Sequence, residues 1–248
     1  MSESRVTAEE RVREEFNQWA AEGKGEEMEA HHISITEQTL AMMNLKPGER
    51  VLDLGCGTGW TSRMIAKAVT NGDKQGQVVG LDVADEMIRR ARASSVEHEN
   101  AMFILGSALE IPWEENFFDK VLSVESFYHY ADQDRALAEL FRVLAPKGEL
   151  YILINLYRDN HYSLRWVEEL KIPVQMKSEE EYVEMLKRHT YEDVRAVRVP
   201  DLTPTPDEYS GRWFANAEEL KDFKRIGALL LIARKPDIEV PPKAITVY

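Results

Sequence analysis

Three closely spaced glycines follow an apolar run that contains an acidic residue. The run VLDL begins at Val51 and places Asp53 just before the glycines, which are Gly55, Gly57 and Gly59. Such a loop can hold a ligand against bare backbone, because glycine has no side chain and adopts conformations that other residues avoid. A second acid, Asp82, ends the next apolar run, VVGLD. These residues predict a binding loop, and their spacing bears on which ligand it binds.

The spacing argues against two kinds of phosphate-binding loop. In the dinucleotide fingerprint G-x-G-x-x-G, the third glycine lets helix and strand pack closely around a pyrophosphate. Counted from Gly55, that third position is Trp60, and counting from Gly57 also ends on a residue other than glycine. A Walker-type loop needs a G-K-[ST] sequence, and none follows. Neither loop therefore explains the glycines.

The two acids favour a nucleoside ligand instead. A carboxylate at the end of a strand suits the two hydroxyls of a ribose, because its two oxygens can each accept a hydrogen bond from one hydroxyl. Asp82 has this position, and Asp53 lies inside the preceding predicted strand. Two acids, a glycine turn and no phosphate-binding sequence together imply a nucleoside that bears a positive charge.

These residues resemble class I S-adenosylmethionine-dependent methyltransferases. The resemblance rests on Val51–Gly59 together with Val78–Asp82, and on the stretches ILGSALEIPWEENFFDKVLSVESFYHY and ALAELFRVLAPKGELYIL at the family's usual positions. It covers residues 47–155 closely and two closing strands loosely, and combined motifs are far more specific than a lone glycine motif. The chain is most similar to the small-molecule branch that includes enzymes of ubiquinone and menaquinone biosynthesis.

The resemblance implies S-adenosylmethionine as the cofactor. The glycines would let its methionine part lie on the backbone, with the carboxylate facing the N–H groups that open the next helix. Asp53 would orient the ammonium and Asp82 would hold the ribose. The adenine would be enclosed by Val83, Met87, Ser107 and Ala108. The predicted cofactor-binding residues are Asp53, Gly55, Cys56, Gly57, Gly59, Trp60, Asp82, Val83, Met87, Ser107, Ala108 and Glu125.

The methyl acceptor is indicated by the residues after the predicted strand Phe118–Val124. DNA and glutamine N-methyltransferases usually have an N-P-P-Y-like turn there, whereas this chain has ESFYHY, which favours a small-molecule acceptor. His129 is the first candidate for a general base and His31 the second, because an unperturbed imidazole titrates near neutral pH. A packing or hydrogen-bonding role is an equal alternative for both. The predicted acceptor-binding residues are Trp19, His32, Tyr128, Tyr130, Tyr157 and Trp166, an aromatic set that suits a planar acceptor.

The charge and composition of the chain limit the classes of partner that it is expected to bind. The formal net charge of −13 weighs against nucleic acid, since affinity for phosphate backbones comes mostly from Lys and Arg. The N-terminus has no apolar stretch typical of a signal peptide, and the most apolar run, Ile226–Ala233, is too short to span a bilayer. The single cysteine, Cys56, permits no internal disulfide, and His31-His32 lacks carboxylates at metal-ligand spacing. We therefore expect a cytoplasmic monomer or homodimer that acts on a small molecule without metal, membrane or nucleic acid.

Predicted helices and strands alternate along most of the chain. Thr7 and Glu10 have capping-box spacing before a first helix, and Ser178 and Glu181 repeat it before a later one. Further helices are predicted at Ser34–Asn44, Gly59–Val69, Asp85–Ala93 and Asp134–Leu144. Strands are predicted at Arg50–Leu54, Gln77–Asp82, Ala101–Leu105, Phe118–Val124, Glu149–Ile154, Val194–Val199 and Ile226–Ala233. This alternation predicts an α/β fold with a doubly wound, mostly parallel seven-stranded sheet, the Rossmann-like methyltransferase fold.

The chain is expected to divide into a cap, a cofactor-binding domain and a tail. Residues 1–46 form the predicted N-terminal helical cap, 47–235 the methyltransferase domain, and 236–248 an extended tail. Within the domain, 155–177 and 200–215 are predicted lid or loop segments, and the cap and 155–177 should close over the cofactor.

The leading hypothesis is an enzyme that methylates O, C or N of a small aromatic or quinol-like molecule. A non-catalytic S-adenosylmethionine-binding regulator or scaffold is the alternative, and a protein or RNA methyltransferase is disfavoured by the charge.

Overall fold

The computed structural model describes residues 7–167, 170, 172–211 and 213–237. The strands are β1 (Arg50–Leu54), β2 (Thr70–Asn71), β3 (Lys74–Gln75), β4 (Gln77–Asp82), β5 (Ala101–Leu105), β6 (Phe118–Val124), β7 (Leu144–Ile154), β8 (Glu192–Val199) and β9 (Ala228–Arg234). The helices are α1 (Ala8–Ala21), α2 (Lys24–Met43), α3 (Trp60–Ala68), α4 (Asp85–Ser94), α5 (Gln133–Val143), α6 (His161–Val167), α7 (Glu179–Arg188) and α8 (Ala217–Ile226). A short 3-10 helix, Phe127–His129, follows β6.

The sheet has seven strands in the order β5-β4-β1-β6-β7-β9-β8. The first five run parallel, whereas β9 pairs antiparallel with both β7 and β8. From β1 the chain adds β4 and β5 on one side and β6 and β7 on the other, so the strand order reverses between β1 and β6. This confirms the predicted doubly wound, mostly parallel seven-stranded sheet. Ligands of such sheets bind at the carboxyl ends of the strands beside this reversal.

The two faces of the sheet have separate cores. Leu52 and Leu54 of β1 belong to a core that includes Leu137 and Leu140 of α5. Val51, of the opposite parity, belongs to a second core with residues of α2 and α3. Both faces are covered by helices, which is why the central strands read as nearly continuous apolar runs. Asp53 has the parity of Val51, so its carboxylate is directed towards α3.

The N-terminal helices dock against the helix that follows β4. The Thr7 hydroxyl accepts a hydrogen bond from Glu10 N at 3.1 Å, and Thr7 N donates to Glu10 Oε2 at 2.6 Å, which confirms the predicted capping box. Asn17 of α1 donates to Asp85 Oδ1 at 2.7 Å and accepts from Glu86 N at 2.9 Å. Helix α2 begins at Lys24, ten residues before the predicted start at Ser34. Its first turns are polar and carry no apolar stripe that would have marked them.

The second half of the chain contains two helices that were not predicted from the sequence. Helix α6 lies within the predicted lid segment 155–177, and α8 precedes the last strand. Strand β7 begins at Leu144 rather than Glu149, because a register shift in its pairing with β6 accommodates the residues in between. The segment 200–215 carries no helix or strand among its described residues. Of the predicted tail, residues from 238 onward lie outside the described residues, and the domain boundaries stay predictions.

No helix in the described part of the chain combines the length and the apolar character needed to cross a membrane.

Candidate functional site

A pocket opens where β1, β4 and β6 end, and the N-terminal helices cover it. The glycine loop, Asp53 and Asp82 form its floor, and residues of α1 and α2 form the opposite wall. The sequence placed the loop and the two acids at adjacent strand ends, and the parallel pairing of β1 with β4 brings them together. The pocket lies beside the reversal of strand order between β1 and β6.

The backbone of the glycine loop requires glycine. Gly55, Gly57 and Gly59 have φ angles of +75°, +53° and +76°, a region that strains most L-residues. A Cβ at Gly59 would lie 2.6 Å from a Phe103 ring carbon, and one at Gly55 would collide with Ser126. A Cβ at Gly57 would meet nothing within 4 Å. Packing therefore demands two of the glycines, whereas Gly57 presents an open backbone face to the pocket.

Asp82 is held in place by backbone N–H groups. Its Oδ2 accepts from Gly57 N at 2.9 Å and its Oδ1 from Ala84 N at 2.9 Å. Burial raises the pKa of Asp82, while these hydrogen bonds act in the opposite direction. A carboxylate oxygen can accept more than one hydrogen bond, so each oxygen of Asp82 can also accept one from a ligand hydroxyl. The geometry suits the predicted ribose contact.

Asp53 is a buried acid that has no cationic partner among the residues that the structure describes. Its side chain is 1% exposed, and Ser62 Oγ donates to its Oδ2 at 2.5 Å. Burial, with a smaller contribution from the charge of Asp82, raises the pKa of Asp53 to about 7 despite the Ser62 hydrogen bond. Within the described residues, neither acid forms an ion pair with Lys, Arg or His. A cationic group of a ligand would stabilise both carboxylates.

Helix α3 starts at the end of the glycine loop, and its first residues line the pocket. Gly59 is the N-cap and supplies no capping side chain, and Trp60 and Thr61 follow it along the pocket wall. The first N–H groups of a helix lack partners within the helix and favour an anionic group. Cys56 also lines the pocket, where burial raises the pKa of its thiol well above the usual value. It is therefore a protonated loop residue rather than a nucleophile.

The far end of the pocket is mostly apolar. Val83, Met87 and Ala108, three of the residues predicted to enclose the adenine, line it. Ser107 is not among the lining residues, and its hydroxyl donates instead to the carboxylate of Glu9 from α1. Glu9 does line the pocket. No pattern in the sequence linked residue 9 to residue 107, because only the docking of α1 brings them together.

Glu125 lines the pocket directly after β6. It has a φ of +52°, which is unusual for a residue other than glycine. Its Oε2 accepts from the Tyr128 hydroxyl at 2.8 Å and its Oε1 from Asn155 N at 2.6 Å. Burial is the largest influence on this carboxyl and raises its pKa to about 7.

Both histidines that line the pocket are neutral at pH 7. His129 is 8% exposed, and burial lowers its pKa to about 4. Its Nδ1 lies 3.4 Å from the Pro173 carbonyl, and the Phe16 ring packs edge-on at 5.3 Å between centroids. His32 also lines the pocket, and burial together with neighbouring His31 lowers its pKa to about 4. His31 itself is exposed and is not a lining residue, which argues against its predicted catalytic role.

Several predicted acceptor-binding aromatic residues face elsewhere. Tyr130 lines the pocket, with its hydroxyl 2.9 Å from Ser126 Oγ, but four others do not. Tyr128 is buried and its hydroxyl donates to Glu125 Oε2 at 2.8 Å, and Trp19 Nε1 donates to Glu15 Oε1 at 2.8 Å within α1.

The other two aromatic residues were wrongly assigned to the pocket. Tyr157 is fully buried, donates to the Gly227 carbonyl at 2.9 Å and packs under Arg198. Trp166 packs against Phe223, 4.9 Å between ring centroids, in a cluster between α6 and α8. Tyr157 thus lies in the protein interior and Trp166 lies partly buried in this cluster, and neither lines the pocket in this structure.

Five pocket residues from the N-terminal helices were missed as site residues. They are Glu9, Val12, Phe16, Gly25 and Met28. Val12 and Phe16 lie four residues apart on one face of α1, but sequence periodicity cannot tell whether such a face packs on a core or covers a pocket. A Cβ at Gly25 would lie 2.5 Å from Thr58 Cγ2, so the start of α2 sits directly on the glycine loop. In the described part of the chain, no group of three or more His, Cys, Asp or Glu side chains is placed to hold a metal.

Comparison with known proteins agrees with this geometry. A methyltransferase-domain family model matches residues 52–152. The chain is 32% identical over 121 residues to a demethylmenaquinone methyltransferase of Listeria monocytogenes, an alignment that covers 48% of this chain and 50% of the relative. A Bacillus cereus demethylmenaquinone methyltransferase is 34% identical over 125 residues, 49% of this chain and 51% of the relative. The chain thus spans about half the length of the curated relatives it matches.

Two solved structures extend the comparison over most of the chain. One is a chain of the complex between the Haloferax volcanii Trm112 methyltransferase activator and a protein described there as a methyltransferase. It superposes with a TM-score of 0.82 at 30% identity, covering 90% of this chain and 98% of that one. The other, an S-adenosylmethionine-dependent methyltransferase from Aquifex aeolicus, has a TM-score of 0.62 at 22% identity and covers 86% of this chain and 97% of that one. At 22% identity, the similarity to the Aquifex aeolicus protein is evidence for the fold alone.

Proposed function

Since the chain belongs to the class I S-adenosylmethionine-dependent methyltransferases, we propose that it methylates O, C or N of a small aromatic or quinol-like molecule. The observation that carries the proposal is the pair Asp53 and Asp82. Asp53 is buried and Asp82 is partly buried, neither has a cationic partner among the described residues, and both lie beside an open glycine at the strand ends. A nucleoside with a positive charge matches this arrangement better than a dinucleotide does.

The residues present fit the cofactor. When bound, S-adenosylmethionine supplies an electrophilic methyl group on a sulfonium. Gly57 leaves room for a ligand to lie on the backbone, and Asp53 would accept from an ammonium. Asp82 would accept from ribose hydroxyls, and the first N–H groups of α3 would face a carboxylate. The covering helices would exclude water from the reacting groups.

The acceptor's proton has two candidate receivers at the pocket wall, Glu125 and His129. A general base works best when its pKa lies near the operating pH. Glu125 meets this condition with a pKa of about 7, whereas His129, at about 4, is a much weaker base. We therefore assign the proton to Glu125 and give His129 a packing and positioning role beside the acceptor.

The acceptor class is supported by apolar and aromatic side chains that line the pocket. Val12, Phe16, Met28 and Tyr130 offer apolar and aromatic surface, which suits a planar molecule. The Listeria and Bacillus relatives are named for demethylmenaquinone, a quinone, and this chain spans about half of their length. A cytoplasmic location and a monomeric or homodimeric state stay predictions from the sequence.

A second candidate concerns a protein partner. The Haloferax volcanii chain that matches most of this one is in a complex with the activator Trm112. In this protein the edge strand β5 exposes Met102 (46%) and Leu105 (53%), apolar side chains that a partner could cover. A Trm112-like activator subunit is therefore the alternative partner. Co-expression with a Trm112 homologue should give a co-purifying complex if this is correct, and separate elution from size exclusion would contradict it.

Calorimetry tests the proposed function. S-adenosylmethionine and S-adenosylhomocysteine should bind, whereas NAD and ATP should show no comparable affinity. Replacing Asp82 by Ala should weaken binding by about 1.5–3 kcal/mol, the range for a hydrogen-bonded charged group. Asp73→Ala, in the exposed β2–β3 hairpin, is the matched control and should bind normally. Tight NAD binding, or normal binding by Asp82→Ala, would refute the assignment.

Transfer itself needs an acceptor. Incubation with radiolabelled cofactor and metabolite extracts should label a small molecule. Cofactor binding together with labelling of protein or RNA alone would contradict the small-molecule class.

A further inference from the structure

We propose that Glu9, in the first turn of α1, recognises the base of the bound nucleoside by accepting a hydrogen bond from the amino group of adenine. The proposal rests on the proposed function, because it takes an adenosyl ligand as given. It makes the N-terminal cap a determinant of ligand specificity as well as a cover. Glu9 lies outside residues 52–152, which match the methyltransferase-domain family model.

The position of Glu9 follows from the sheet. Strands β4 and β5 pair in parallel, with Asp82 opposite Leu105, so the segments that follow them lie side by side at the same edge. Val83 comes from the first segment, and Gly106 and Ala108 come from the second. The Ser107 hydroxyl donates to Glu9 Oε2 and ties α1 to the second segment.

This end of the pocket suits a flat heterocycle. Val83, Met87 and Ala108 supply apolar surface next to Asp82, the residue suited to the adjoining sugar. A base attached to that sugar would extend between these side chains, with its polar edge towards the segment that carries Ser107. Glu9 is the acid at this edge. The other acids of the described pocket lining are Asp53, Asp82 and Glu125, which lie around the glycine loop and after β6.

The hydrogen-bonding chemistry of Glu9 distinguishes bases. An ionised carboxylate only accepts hydrogen bonds. Ser107 engages Oε2, while Oε1 forms no hydrogen bond within the described residues. The amino group of adenine can donate to it, whereas the oxo group of hypoxanthine would place one acceptor against another. A site built to bond a donor rejects an analogue that lacks it, since the buried acceptor is left unpaired.

The docking of α1 on α4 positions Glu9 at the pocket. Asn17 joins α1 to the start of α4 through Asp85 Oδ1 at 2.7 Å and Glu86 N at 2.9 Å. Further along, Ala20 packs with Ala84 and Met87 in a small buried cluster. Glu9 therefore reaches the pocket from a helix anchored on the same segment that follows β4. Because binding would add a contact between base and helix, bound ligand should also hold α1 in place.

The test compares two nucleosides that differ at one group. Calorimetry measures the affinities of S-adenosylhomocysteine and S-inosylhomocysteine, in which an oxo group replaces the adenine amino group. The wild-type protein should prefer the adenosyl compound by about 10- to 100-fold, the range for a hydrogen bond to a charged group. In Glu9→Gln the preference should fall below about threefold, because an amide can either donate or accept. Glu14→Gln, an exposed residue of the same helix, should keep the wild-type preference.

Each other outcome has a definite meaning. A full adenosyl preference in Glu9→Gln would overturn the assignment of Glu9 while leaving the proposed function intact. Ser107→Ala should keep the preference, because the carboxylate rather than the hydroxyl is the acceptor. Loss of preference in Ser107→Ala, with none in Glu9→Gln, would assign the recognition to Ser107 and refute the proposal. Failure of the wild-type protein to bind either nucleoside would refute the proposed function itself.

Discussion

At the scale of single residues, Glu125 combines an unusual backbone with a perturbed carboxyl group. Its φ of +52° is a conformation that residues other than glycine adopt at some energetic cost, so the surrounding structure must impose it. The hydrogen bonds from Tyr128 and from Asn155 N orient both carboxylate oxygens. Such conformations are often found at functional sites, where they direct a side chain towards a ligand. We interpret Glu125 as the group that the backbone directs into the pocket.

The pH dependence of kcat should identify the proton acceptor. A general base must be deprotonated to accept a proton, so kcat falls as the pH drops below the pKa of the base. If Glu125 is the base, the acidic limb should lie near pH 7, whereas His129 would place it near pH 4. Glu125→Gln should lower kcat by about 10²-fold or more and remove the limb near pH 7.

His129→Asn is the matched comparison for Glu125→Gln. It should keep the limb near pH 7 and change kcat less. A Glu125→Gln variant that retains this limb would exclude Glu125 as the base. Weakened S-adenosylhomocysteine binding in Glu125→Gln, with unchanged pH dependence, would support its predicted cofactor contact instead.

At the scale of elements, the N-terminal helices form the cover of the pocket. Glu9, Val12 and Phe16 of α1 and Met28 and His32 of α2 line it. The segment 155–177, also predicted to cover the cofactor, instead contacts residues that follow β6. Gln175 N donates to the Tyr128 carbonyl at 2.7 Å, and no residue of this segment is among the described lining residues. The two predicted covering segments thus have different positions.

Hydrogen exchange should distinguish these positions. On addition of S-adenosylhomocysteine, exchange should slow in α1 and in the glycine loop, because both face the ligand. The segment 172–176 should change less, since it contacts the pocket wall rather than the ligand. Asp82→Ala at the same ligand concentration is the control and should show weaker protection. Slower exchange confined to residues 51–60 would contradict a role of α1 as a cover.

At the scale of the whole molecule, the pocket makes stability depend on pH. Asp53 and Glu125 have folded-state pKa values of about 7, well above the ordinary values near 4. Between those limits the folded protein binds more protons than the unfolded chain, so stability falls as pH rises. His32 and His129, with lowered pKa values of about 4, act in the opposite direction below about pH 6.5. Above that pH the unfolded histidines are largely neutral as well, and the effect of the acids predominates.

The melting temperature of the ligand-free protein should therefore fall between about pH 6.5 and 8. Asp53→Asn keeps an acceptor for Ser62 but cannot ionise, so its melting temperature should fall less over this range. Asp73→Asn, which changes an exposed acid, should behave like the wild type. Equal slopes for the wild type and Asp53→Asn, measured by differential scanning calorimetry, would show that Asp53 does not contribute to this dependence.

The central strands and the floor of the pocket could be predicted from local sequence patterns. Predicted bounds for β1, β4, β5 and β6 agree with the structure, because buried parallel strands are short apolar runs between clear turns. Asp53, the glycines and Asp82 were predicted to lie together because the carboxyl ends of neighbouring parallel strands meet at one edge of the sheet, and all of them except Gly59 line the pocket. These features depend on local patterns and on the regular geometry of parallel pairing.

The residues that cover this floor could not be predicted in the same way, because their positions depend on how distant elements pack. Tyr130 faces the pocket whereas Tyr157 donates to Gly227, and nothing in their surrounding sequence distinguishes the two. The contact between Glu9 and Ser107 joins residues 98 positions apart and exists because α1 docks on α4. The pKa of His129 is likewise set by burial under Phe16 and beside Pro173 rather than by its chain neighbours alone. Side-chain direction and burial result from the packing of whole elements, which local sequence periodicity does not encode.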